Sequence, residues 1–169
     1  MASNGNQMSE TSLSEQVIHA QYSEWDAKVY PRLEGKAFHQ TGQAAYQAIC
    51  RDSKILPYKA GSGRVGLFRS PSISYAQAKE LVAFWDYRGR TINEINSALL
   101  HPLHAHLEAD PVYYLVLRPE ECSKLHAPEE AGILNHVPDL EHFYQGLFVP
   151  IEAIERVIIV KNIRHRPLS

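Results

Sequence analysis

The spacing of apolar positions changes along this chain, and the change predicts where helices and strands fall. Residues 1–12 are small and polar without recurrence, and they predict a disordered segment. Leu13, Val17, Tyr22, Trp25 and Val29 then recur at helical spacing, with Ser12 or Ser14 as cap and Pro31 as the stop. A short strand is predicted over 36–39, and a helix over 42–51 with Ala45, Ala48 and Ile49 on its apolar face. YKAGSGRVG (58–66) reads as a loop, and a strand follows over 65–68. Ser72 or Ser74 caps a predicted helix through Ala78, Leu81, Val82 and Trp85. Another helix, in TINEINSALLHPL (91–103), stops near Pro102.

The second half reads as strands. VYYLVL (112–117) is a β-branched and aromatic run of the buried kind. HFYQGLFV (142–149) is a second run, with Gly146 as a bulge or bend. Pro150 opens a single turn, RVIIV (156–160) is the last strand, and the basic tail from Lys161 is loose. Helices early and strands late predict an α+β fold.

Composition changes this picture little. The chain has 169 residues, 44% hydrophobic and 21% charged, enough for one domain over 13–169 with its own core. A formal charge of −2 gives no general attraction to nucleic acid, so any such contact needs a local patch. No apolar run has the length of a membrane helix, and the polar N-terminus does not read as a secretory signal. Cys50 and Cys122 are far apart in sequence and predict reduced thiols in a cytoplasmic protein, with one disulfide as the alternative.

Four constellations could carry chemistry. In FHQT, His39 and Thr41 point to one face of a strand end, where an imidazole and a hydroxyl can hold a ribose or an amide. The plainer alternative is that they finish the strand and start the next helix. In GLFRSPSISYAQA (66–78), Arg69, Ser70 and the following helix start could hold phosphate, and Tyr75 offers a ring for stacking. A strand–turn–helix punctuated by Ser-Pro reads equally well. Glu141 stands where a loop meets an apolar strand, a position that can stabilise a positively charged sugar or remain a solvated charge. His101, His104 and His106 have a spacing that suggests a metal, but Pro102 interrupts them and no cysteine or aspartate joins them, so no metal is expected. No phosphate-binding glycine loop and no nucleophile elbow is present.

Taken in order, FHQT, the helix containing AAYQAI, the strand into FRSPSISYAQA and the late Glu before VPIEAIERVIIV resemble the ADP-ribosyltransferase superfamily. The similarity spans about residues 36–160 and is closest to the toxin branch that modifies nucleic-acid bases. It implies a split antiparallel sheet flanked by helices, with NAD as the substrate. His39, Thr41, Ser70 and Tyr75 would hold NAD, Arg69 would lie by its phosphates or the acceptor, and Glu141 would be catalytic. The chain departs from the family pattern at His142, where an apolar residue is usual, so Glu129, Glu130 and Gln145 are alternatives for the catalytic position. The resemblance implies a mono-ADP-ribosyltransferase, a toxin or effector acting on nucleic acid or protein, with an immunity protein as a further partner. Two other readings remain open on the residues alone. One is a metal-independent RNase using His39 or the 101–106 histidines, and Arg64, Arg69, Arg88 and Arg90 could then meet phosphates. The other is a non-catalytic binding or immunity module presenting Tyr113, Tyr114, Phe143 and Tyr144.

Overall fold

A computed structural model of the chain describes residues 13–57, 81–91, 93–95, 111–127, 140–146 and 148–161. Among them, a mostly antiparallel seven-stranded sheet carries the fold, with few helices. Its strands are β1 (Glu15–His19), β2 (Ala37–Thr41), β4 (Leu81–Asp86), β5 (Val112–Leu117), β6 (Leu125–His126), β7 (Glu141–Gln145) and β9 (Ile154–Lys161). They lie in the order β1-β9-β5-β2-β4-β7-β6. A two-stranded ribbon joins β3 (Lys54–Ile55) to β8 (Val149–Pro150). Short helices α1 (Trp25–Lys28) and α2 (Tyr30–Leu33) precede β2, and the ten-residue α3 (Gln43–Asp52) follows it.

Both faces of the sheet are covered, which explains the continuous apolar runs. All six residues of β5 are buried. Alternate residues feed two cores. Trp25, Val29, Tyr30 and Leu33 from the helical turns pack with Phe38, Tyr87, Tyr114, Val116 and Ile158 on one face. The Phe38 ring meets Tyr87 and Tyr114 edge-on, at 4.8 and 5.4 Å between centroids. On the other face, Tyr46 and Ile49 of α3 pack with Val82, Phe84, Tyr113, Leu115, Leu117, Tyr144 and Ile159.

Several expectations are corrected. Residues 15–19 form a strand, because β1 pairs in parallel with β9 from Glu15↔Val157 to His19↔Lys161. Ser14 caps no helix; its carbonyl accepts the Val157 N–H at 2.8 Å. Helix begins only beyond Tyr22–Glu24, and Pro31 sits in the first turn of α2 instead of ending a helix. In α3 the buried residues are Tyr46 and Ile49, while Ala45 is exposed. The helix expected to run through Leu81, Val82 and Trp85 is strand β4 at that point, held between β2 and β7. A strand buried on both faces lacks polar alternation, so it mimics a helix in sequence.

The run 142–149 divides into β7 and β8, because Gly146 takes φ 139°, a conformation side chains resist. Thr91 and Glu94 form reciprocal capping bonds of 2.8 and 3.2 Å and residues 93–95 are helical, while the rest of the helix expected over 91–103 lies outside the described residues. The strand VYYLVL, the helix after FHQT, the turn after Pro150 and the last strand fall where the pattern puts them. The loop 58–66, the strand 65–68, the cap at Ser72 or Ser74 and the tail beyond Lys161 lie outside the described residues. No helix among the described residues is long and apolar enough to cross a membrane.

Candidate active site

Three strands meet where the sequence placed its first and last candidate motifs. β4 pairs with β7 over its whole length, from Leu81↔Gln145 to Trp85↔Glu141. Its pairing with β2 is short, Ala37↔Asp86 and Phe38↔Trp85, and there the ladder stops. One residue further, the His39 side chain takes over from the backbone: Nδ1 lies 2.9 Å from the Ala83 carbonyl oxygen. A carbonyl only accepts, so Nδ1 carries the hydrogen and a neutral ring keeps its lone pair on Nε2. The ring also leans on Phe84, at 5.8 Å between centroids. β2 continues along β5 to Thr41↔Tyr113, so it parts from β4 while staying bound on its other side.

Glu141 is the first residue of β7 and is 1% exposed. Removing a carboxylate from water costs several kcal/mol, on the order of the stability of a whole domain. Such a group is retained where its charge is used or firmly paired. Cross-strand pairing puts Glu141 level with Trp85 and Phe38, so these three side chains share a face. His39 and Thr41 point to the other face, with Phe84 and His142. Glu141 and the His39–Thr41 pair therefore lie on opposite faces of the sheet, on either side of the point where the β2–β4 ladder ends. His39 and Thr41 are half-buried side by side, as the i, i+2 spacing predicts.

Arg69, Ser70 and Tyr75 lie outside the described residues, as do Arg64, Glu129, Glu130, His101, His104 and His106. Gln145 ends β7. Among the aromatics weighed as an interaction surface, Tyr113, Tyr114, Phe143 and Tyr144 are all buried and serve the core. Neither Cys50 nor Cys122 is in a disulfide.

The structure adds a cluster that sequence reading missed. Asp86, at the end of β4, is 5% exposed and its carboxylate is held from two sides. The Arg88 guanidinium donates from Nε to Oδ1 at 2.8 Å and from Nη2 to Oδ2 at 2.6 Å. The Arg88 backbone N–H adds a third bond at 3.1 Å, and His142 Nδ1 stands 3.6 Å from Oδ2. Burial pushes the Asp86 carboxyl up, but the Arg88 bonds outweigh it and hold the group below the ordinary aspartate range. Arg88 is held above its own ordinary value by the same bonds. It therefore serves Asp86 and is not the open phosphate ligand the arginine pairs suggested. A signal was present in sequence: an acid closing the apolar run LVAFW, with an arginine two residues on.

Compared with known proteins, the chain matches no protein-family model, no curated protein and no solved structure.

Proposed function

We propose that the chain is an NAD-dependent mono-ADP-ribosyltransferase, and that its sheet is the split antiparallel sheet of that superfamily. The carrying observation is the buried Glu141 carboxylate at the first residue of β7, beside the point where β2 and β4 part. Breaking the bond between nicotinamide and ribose leaves a sugar with oxocarbenium character. A carboxylate fixed in a dry site stabilises that charge far better than one in water. His39 supports the reading because its bond to the Ala83 carbonyl fixes the imidazole at the end of the β2–β4 ladder, on the face it shares with Thr41. The NAD would lie in the split, with Arg69 toward its phosphates or the acceptor, Ser70 beside them and Tyr75 near the nicotinamide.

In this reading the ADP-ribose passes to a macromolecular acceptor, nucleic acid or protein. The chain is then a toxin or effector acting in the cytoplasm, with an immunity protein as its natural inhibitor. Water serves as acceptor in the simplest test. The purified protein is incubated with NAD, and free nicotinamide is measured for the wild type and for Glu141→Gln. The wild type is expected to release nicotinamide, and the isosteric amide to slow it by about a hundredfold or more. No release by the wild type at millimolar NAD, or equal release by both proteins, removes the proposal.

A further inference from the structure

Asp86 makes contacts on both sides of Glu141 in sequence, and neither contact is with Glu141 itself. Its backbone N–H donates to the Leu140 carbonyl at 2.7 Å, one residue before. Its Oδ2 lies 3.6 Å from His142 Nδ1, one residue after. The neighbouring Trp85 pairs with Glu141 directly. Leu140 is fully buried, and this bond carries the β4–β7 ladder one step beyond Glu141. Glu141 and Asp86 alternate to opposite faces, and thus the two carboxylates are kept apart.

We propose that Asp86, locked by Arg88, is a positioning residue that sets the backbone on which the Glu141 carboxylate is carried. This inference rests on the transferase reading above. The physical reason is that an ion pair with its carboxylate buried is a poor way to gain stability. Well-packed apolar residues of similar volume serve as well or better, since they avoid desolvating two charges. What the pair does supply is direction. Two parallel N–H···O bonds from a planar guanidinium fix the carboxylate in orientation as well as in place. Arg88 is only part-buried, and its stem lies in the turn Tyr87–Gly89, where Gly89 takes φ 71°. The turn therefore returns the guanidinium to the strand it has just left. His142 completes the arrangement: its Nδ1 is buried without a hydrogen-bond partner and faces Oδ2. A small closure would convert that approach into a charge-assisted bond.

The test separates positioning from stability. Asp86→Leu combined with Arg88→Met removes both charges and keeps the apolar volume, and Asp86→Asn keeps the shape and removes one charge. Nicotinamide release from NAD is measured for each with kcat and KM resolved, beside thermal unfolding. The double variant is expected to melt within a few degrees of the wild type. Its kcat should fall about tenfold to a hundredfold, with KM for NAD within about twofold, as for a catalytic group displaced by a fraction of an ångström. Asp86→Asn carries the same expectation for kcat and KM, with a lowered melting temperature because Arg88 loses its partner, and decides the matter should the double variant not fold. A folded variant with the kcat of the wild type overturns the positioning role while the transferase reading stands. A folded variant that loses only KM overturns it as well. A wild type that releases no nicotinamide removes both.

Discussion

Replacing Tyr114 by Phe takes a single oxygen from the most enclosed part of the sheet. Tyr114 is 0% exposed, and its hydroxyl accepts the indole N–H of Trp25 at 3.1 Å. Trp25 is 2% exposed and anchors α1 to β5. Losing the acceptor leaves a buried donor with nothing to bond, a penalty of about 1–3 kcal/mol. For a domain of this size each kcal/mol is worth roughly 2–4 °C, so melting should fall by about 2–12 °C. Calorimetry or urea unfolding measures it. The cause is isolated by repeating the substitution in a Trp25→Phe background, where the orphaned donor no longer exists and the second change should cost almost nothing. An equal cost in both backgrounds would refute the reasoning and point to lost packing around the ring.

Three further outcomes are expected. His39→Ala removes the imidazole proposed to hold the ribose, and NAD affinity by calorimetric titration should weaken about tenfold. Asp86 has a depressed folded-state pKa, so its contribution is complete above about pH 4 and is lost as pH falls through the lowered value. The gap in urea midpoint between wild type and Asp86→Asn should therefore be widest near neutrality and close towards pH 2. Gly146→Ala meets no close atom, the nearest being the Phe148 carbonyl oxygen at 3.6 Å, but it inherits φ 139°. It should cost about 1–3 kcal/mol through backbone strain alone, read as a lowered urea midpoint.

Local chemistry made part of this architecture legible in advance. VYYLVL admits one reading because β-branched and aromatic residues fill both faces of a buried strand. The helix after FHQT was marked by a change of period, and Gly146 by its place within an apolar run. Glu141 could be singled out because it borders such a run. What stayed hidden depends on partners distant in sequence. Nothing local tells residues 15–19 that β9 will take them as a neighbour, and Leu13 and Val17 mimic a helix by coincidence of spacing. LVAFWD could be helix or strand until β2 and β7 flank it. Asp86 escaped notice because its importance comes from Arg88, His142 and Leu140 together, and only the first of these is near it in the chain.

The parallel match of β1 with β9 has a consequence for biosynthesis. β1 must wait for β9 to be made, so the outer edge of the sheet cannot close before then. Contacts of such long range make folding slow. A nascent chain would hold β1 without its ladder partner until β9 emerges from the ribosome.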